Sequence, residues 1–317
     1  MIDPQAQLLM ETLARQGVAS VSQVGPELAR KAYLVRKQLS QPDPTPVGSV
    51  QDLVMSARDP GSSKQHSIPI RLYKPSRPAM QCTGLSLYFH GGGFVIGSID
   101  THDALCRQLC ESSGHAVLSV DYRLAPEHPF PGAFNDALAA TRWAHANARE
   151  LGIDANRIAV AGDSAGGQLA AVVALALRDD PMIRLAYQLL IYPITDALMT
   201  QPSIKTNGTG YMLTQATLNA YYDHYWPERG VRNDWRASPL LADDLSNLPP
   251  ALVLTAGFDP LHDEGLAYAD RLSRSGVPTQ YICFERQIHG FLPMGRAIEE
   301  ANLALEICAL ALGRALG

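Results

Sequence analysis

A serine flanked by glycines at the end of an apolar run is one of the few short patterns that brings its own chemistry. Gly162-Asp163-Ser164-Ala165-Gly166-Gly167 has this form: Ile158 to Ala161 reads as a strand, and the Ala- and Leu-rich residues after Ser164 read as a helix. A tight turn between the two strains the serine backbone, and the glycines let strand and helix approach without side-chain clashes. The hydroxyl then projects at the carboxyl end of the strand, above a helix N-terminus whose dipole favours a developing anion. Ser164 is therefore a candidate nucleophile. The context carries the inference, because a Ser N-cap followed by a helix-packing Gly would leave the same letters.

Three more clusters have residue types suited to the same chemistry. His90-Gly91-Gly92-Gly93-Phe94 follows the apolar run Leu85 to Phe89, and successive glycines let backbone N–H groups converge on one point, which is how an oxyanion hole is built. Neither G-x-G-x-x-G nor G-x-x-x-x-G-K-[ST] can be laid over His90 to Gly97, which argues against a dinucleotide or phosphate loop. His90 has the chemistry of a base, but its place before three glycines suits a structural hydrogen bond that fixes the loop. Asp259, Asp263 and Glu264 follow the strand-like run Ala251 to Thr255, and His289 follows the next run, Gln280 to Phe284. Nucleophile, acid and histidine thus come in the chain order that an α/β hydrolase requires, each after a strand.

HGGGF, GDSAGG, DPLHDEG and HGF together resemble the hormone-sensitive-lipase-like group of α/β-hydrolase carboxylesterases, from about residue 48 to the end. The run Asp121-Tyr122-Arg123-Leu124-Ala125-Pro126 through Pro131 is similar to that group's segment after the following strand, and a structural role is expected of it. The resemblance implies that Ser164 is the nucleophile, that Asp259 and His289 complete a triad, and that the N–H groups of Gly92, Gly93 and Ala165 form the oxyanion hole. It also implies a helical cap. A physical reason agrees with Asp259: it comes first after the strand, and Pro260 stiffens its neighbourhood. Asp263 and Glu264 fall where a helix starts, and unpaired N–H groups and the dipole already account for acids there. His262 stands where the group often has Arg, and is expected to form a local salt bridge or lie at the surface.

The elements that must position these residues form a regular alternation. Leu85–His90, His115–Asp121, Arg157–Gly162, Tyr187–Tyr192, Ala251–Thr255 and Gln280–Phe284 are predicted strands; Asp103–Ser112, Ala133–Leu151, Ser164–Arg178, Glu264–Ser275 and Arg296–Leu316 are predicted helices. Such alternation predicts an α/β fold with a mostly parallel central sheet and helices on both faces. Val50–Ala57 and Ile68–Tyr73 add two early strands at one edge. Two segments stand apart. Residues 1–47 hold two predicted helices, Pro4–Gln16 and Pro26–Leu39, and a Pro-rich linker, and are expected to belong to the cap. Residues 48–317 form the catalytic domain, with a further cap insertion at about 195–236. That insertion holds Tyr211, Tyr221, Tyr222, Tyr225 and Trp226, which either line a pocket or pack the insertion onto the body.

Composition narrows the partners. The chain has 317 residues, 46% hydrophobic and 18% charged, with a net charge of −5 and no block of Lys or Arg, which argues against nucleic acid or anionic lipid as partner. The start lacks a basic region followed by an apolar one, and the longest strongly apolar stretch, Leu169 to Leu177, is far short of the ~20 residues that span a bilayer. A cytoplasmic protein acting on a small-molecule ester is expected, with a homo-oligomer left open. Cys82, Cys106, Cys110, Cys283 and Cys308 are scattered, with no C-x-x-C pair, and read as mostly buried thiols. No metal and no cofactor are implied. The expected activity is hydrolysis of short- to medium-chain carboxylic esters through an acyl-enzyme; an amidase or formamidase with the same triad, and a non-catalytic ligand-binding homologue, are the alternatives.

Overall fold

The computed structural model describes residues 1–17, 20–79 and 83–317, so Cys82 lies outside the described residues. Its strands are β1 (Ser49–Arg58), β2 (Gln65–Lys74), β3 (Thr83–Phe89), β4 (Ala116–Val120), β5 (Ile153–Asp163), β6 (Leu185–Ile191), β7 (Ala251–Phe258) and β8 (Thr279–Ile288). They form one eight-stranded sheet in the order β1-β2-β4-β3-β5-β6-β7-β8. β2 pairs antiparallel with both β1 and β4, and every pairing from β4 to β8 is parallel, so β2 alone runs against the rest.

The helices are α1 (Pro4–Arg15), α2 (Val21–Ser40), α3 (Asp103–Ser113), α4 (Gly132–Ala146), α5 (Ala148–Leu151), α6 (Ala165–Leu177), α7 (Ser203–Thr206), α8 (Gln215–Tyr225), α9 (His262–Arg274) and α10 (Glu299–Leu316). Two apolar layers result. Leu85, Leu87 and Phe89 of β3 pack with the alanines of α4 and with α6, while Tyr88 packs with Leu105, Leu109, Leu305 and Leu312 of α3 and α10. Because both faces are covered, β3 and β4 are buried at every residue and read as unbroken apolar runs. α6 lies in the middle of one layer, and its near-continuous Ala, Val and Leu sequence is what a helix without a solvent face needs.

Boundaries differ from the predicted ones for local reasons. The single helix expected over 133–151 breaks at Asn147 (φ −103°, ψ 16°), whose side-chain amide donates to the Trp143 carbonyl at 2.8 Å. β8 continues past Phe284 to Ile288, because at the sheet edge Glu285 and Arg286 can point to water. Gly25 (φ 76°) separates a short first turn of α2 from the long helix that starts at Pro26. The segment after β4 acts as a clasp. The Arg123 guanidinium donates to Asp59 and Asp136 at 2.7–3.1 Å, and Asp136 also meets His66 at 2.8 Å, so the β1–β2 turn, β2 and α4 are tied together. Among the described residues, no helix is long and apolar enough to cross a membrane.

Candidate active site

The sheet register brings the chemistry together. Phe258 of β7 and Ile288 of β8 are Cα partners, so the next residues, Asp259 and His289, leave the sheet side by side. Phe89 is likewise opposite Gly162, which puts the glycine loop beside the turn that holds Ser164. His289 Nδ1 lies 2.7 Å from Asp259 Oδ2, and its Nε2 lies 2.9 Å from Ser164 Oγ. One imidazole therefore bridges a carboxylate and a hydroxyl, both buried.

Ser164 is held in a conformation that L-residues rarely adopt, φ 57° and ψ −118°. Its N–H donates to Ile191 O at 2.8 Å, and its carbonyl accepts from Ile194 and Gln168, so the surrounding backbone enforces the turn. The flanking glycines have no room for a side chain. A Cβ at Gly166 would lie 1.8 Å from Phe89 O, and one at Gly162 would lie 2.3 Å from Gly166 O.

The three acids of the 259–264 segment separate clearly. Asp259 is fully buried; one oxygen faces His289, and the other accepts from Leu261 N–H at 2.8 Å. Asn207 donates to the carbonyls of Gly257 and Asp259, both at 3.1 Å, fixing the loop from the far side. Asp263 instead accepts from Ser203 N–H and contacts His262 Nδ1, both at 2.8 Å, so His262 does form a local pair. The Cys283 thiol first, and Asp263 after it, push the His262 imidazole up to about 9 against the effect of burial. Glu264 departs from the expectation of a first-turn acid explained by the helix end alone. It is fully buried, and its Oε1 accepts from the N–H groups of Thr195 (2.7 Å) and Asp196 (3.1 Å). Burial drives its carboxyl well above the usual range, against the pull of those hydrogen bonds.

In the glycine loop, Gly92 (φ 124°) and Gly93 (φ 60°) both occupy backbone regions that favour glycine. Gly92 O accepts from Val95 and Ile96 N–H, which curls the loop. A Cβ at Gly93 would meet the Tyr221 ring at 2.2 Å, so α8 rests directly on this loop. Among the described residues, no protein acceptor takes the N–H groups of Gly92, Gly93 or Ala165. His90 stands apart from Ser164: it stacks on Tyr122 (4.2 Å) and contacts Gly91 O through Nδ1 at 2.9 Å. Burial, aided by neighbouring His102, pushes its imidazole down to about 3.

Asp163 has a part that the sequence reading missed. Its Oδ1 accepts from Tyr88 OH (2.8 Å) and Gly91 N–H (2.9 Å) and lies 3.3 Å from His102 Nε2. Burial alone would raise its carboxyl, but the charge and hydrogen bond of His102, with those of Tyr88 and Gly91, outweigh it and hold the group below its ordinary value. This carboxylate ties the serine turn to the glycine loop. The signal was its place inside the serine motif, one residue before Ser164.

Above these loops is a cavity of about 100 Å³, lined by Ser164, His289, Gly92 and Gly93 below and by residues of α2 and α8 above. The aromatics of the 195–236 segment divide between the two roles left open for them. Tyr221 lines the cavity, whereas Tyr225 stacks on Phe94 at 4.0 Å with Trp226 against both, and Tyr211 packs on Phe258 at 5.1 Å.

A family profile described as an α/β hydrolase fold matches residues 86–293. An ethyl acetate hydrolase of Pseudomonas putida is 43% identical over 90% of this chain and 87% of its own. A carboxylesterase of Mycobacterium tuberculosis is 37% identical over 99% of this chain and 96% of its own. Among solved structures, an ester hydrolase from the metagenome of Lake Arreo, in complex with a bipyridine phosphonate derivative, superposes with a TM-score of 0.92 at 42% identity, covering 99% of both chains.

Proposed function

From a chain that belongs to the hormone-sensitive-lipase-like family of α/β hydrolases and is a carboxylic ester hydrolase, we propose a serine carboxylesterase for short- to medium-chain esters. The nucleophile is Ser164, the base His289, and the acid that orients it Asp259. The observation that carries this reading is the unbroken relay from Asp259 Oδ2 through His289 to Ser164 Oγ, at 2.7 and 2.9 Å.

The geometry lends itself to acyl transfer. With its Nδ1–H directed at Asp259, His289 keeps Nε2 free to take the Ser164 proton as Oγ attacks the ester carbonyl. The negative charge that develops on the carbonyl oxygen is received by the N–H groups of Gly92, Gly93 and Ala165, the last at the positive end of α6. His289 then gives its proton to the departing alcohol, and water repeats the sequence to release the acid. Each proton has a residue to carry it, so no step calls for a metal or an organic cofactor.

Residues 1–47 and about 195–236 serve as the cap over a catalytic unit of residues 48–317, and the small cavity beneath α2 and α8 favours short acyl groups. The test is covalent. An organophosphonate probe should add one label to the peptide containing Ser164 and abolish turnover; a label retained in Ser164→Ala would refute the assignment. A panel of soluble esters should peak at short or medium acyl length, and faster hydrolysis of emulsified long-chain triglyceride would overturn the chain-length reading.

A further inference from the structure

The cavity wall holds one permanent charge that the protein leaves without a counter-ion. Asp163 is paired with His102, and His289 with Asp259. Arg36 of α2 also lines the cavity, half-buried, but among the described residues no carboxylate lies within ion-pair distance of its guanidinium. Its contact is with a ring: the guanidinium sits 4.1 Å from the centroid of Tyr33. By contrast Arg30, one turn and a half earlier on the same helix, is consumed by Glu127 and by the carbonyls of Val95 and Ala125.

Arg36 is held on one side of the cavity. Burial pushes the Tyr33 phenol up to about 12 while the Arg36 charge pulls against it, and the same charge acts on buried Tyr221. Tyr221 in turn rests on Gly93. The cation therefore stands in the wall of the cavity that Tyr221, Gly92 and Gly93 also line; its guanidinium reaches the Tyr33 hydroxyl as well as the ring, and among the described residues no carboxylate takes its other N–H donors. The remainder of the wall is mostly apolar, with Val21, Ile194, Leu213 and Leu218 among its side chains. Such a wall screens poorly, so an anionic group brought beside Arg36 is attracted more strongly than in water.

We propose that Arg36 forms an anion subsite, and that the substrates this cavity selects are esters with a second, free carboxylate. This inference rests on the serine-esterase reading and names the substrate class of that same site. The carboxylate can belong to the acyl part, as in a half-ester of a dicarboxylic acid, or to the alcohol part, as in an ester of a hydroxy acid; in both, Arg36 grips the anion while Ser164 attacks the ester carbonyl.

The experiment compares kcat/KM for three soluble esters: neutral ethyl butyrate, monoethyl succinate with the anion on the acyl side, and O-butyryl glycolate with the anion on the alcohol side. Arg36→Gln should lower the anionic-to-neutral ratio for at least one of the two by about tenfold to a hundredfold, mainly through KM. Arg36→Lys should retain part of it, since it keeps the charge but loses the planar fork. Added salt should reduce the wild-type ratio toward that of Arg36→Gln. The anionic ester whose ratio falls identifies the arm of the substrate that reaches Arg36. If wild type cleaves ethyl butyrate and both ratios are the same in wild type and Arg36→Gln, the anion subsite is overturned and the esterase reading stands. If wild type cleaves none of the three, the esterase reading fails and the inference falls with it.

Discussion

The loops below the cavity and the helices above it are built by different means. Below, Asp259 and His289 are placed by a strand register, and Ser164 by backbone hydrogen bonds on both sides of its turn. Above, α2 is anchored by side chains: Arg30 reaches Val95 O, Ala125 O and Glu127, and α2 and α8 meet through residues such as Ser22 and Thr217, whose hydroxyls are 3.5 Å apart. A register fixes positions to fractions of an ångström and slips only by whole residues. Side-chain contacts tolerate smaller adjustments. The floor is thus suited to bond-making geometry and the roof to choosing what fits, so substitutions below should act on kcat and those above on KM or stability.

The largest expected effect lies in the floor. Asp259→Asn should lower kcat by up to ~10⁴-fold with the fold intact, through the wrong imidazole tautomer and loss of imidazolium stabilisation. Asp263→Asn, measured beside it, should leave kcat within a few-fold, because that carboxylate serves Ser203 and His262. An inactive Asp263→Asn next to a near-normal Asp259→Asn would invert the assignment. Gly93→Ala probes the place where floor and roof touch. Its methyl group would press on the Tyr221 ring and the alanine would have to adopt φ 60°; if the Gly93 N–H serves as proposed, its displacement should lower kcat roughly 10²–10³-fold. Circular dichroism would show whether the loss is catalytic or a failure to fold.

How much of this division was legible in the sequence depends on the range of the interactions. The strand–Ser164–helix turn is local, and its glycines announce it. The ordering of Ser164, Asp259 and His289 after strands was legible for the same reason; for His262 a local salt bridge or a surface place was legible, but not that Asp263 is its partner. Glu264 was not, because Asp-Glu at a helix start is the ordinary pattern of a solvated first turn, whereas here the partners are Thr195 and Asp196, distant in the chain. The split of Tyr221 from Tyr225 and Trp226 was hidden too: aromatics close together in the chain look alike until it is known that Gly93 lies under one and Phe94 under another.

Smaller effects sharpen the comparison from above. Arg30→Ala removes the side-chain anchor of α2 and should cost roughly 1–3 kcal/mol of stability, with KM raised more than kcat is lowered. An equal fall in kcat alone would mean that the roof shapes the chemistry directly. The smallest effect concerns Glu264. Its carboxyl keeps its proton in the folded state above the ordinary value of 4.5, while the unfolded chain has released its own, so stability declines as pH rises from about 4.5 toward the raised folded value. Glu264→Gln retains the Oε1 acceptor without this penalty. Its melting temperature should exceed that of wild type by a few degrees at pH 7 to 8, and the gap should close near pH 4.5. A gap independent of pH would mean that Glu264 is ionised in the fold.

The backbone of Ser164 has a consequence for how the protein tolerates change. At φ 57° and ψ −118° the position asks for glycine, and a side chain there costs about 1–3 kcal/mol. Ser164→Gly should therefore give a protein that melts higher than the active one while hydrolysing nothing. Random drift judged by solubility or expression alone would be drawn toward that change. On the proposed role of Ser164, the serine persists only while turnover itself is under selection, which makes residue 164 a place where robustness and usefulness pull in opposite directions.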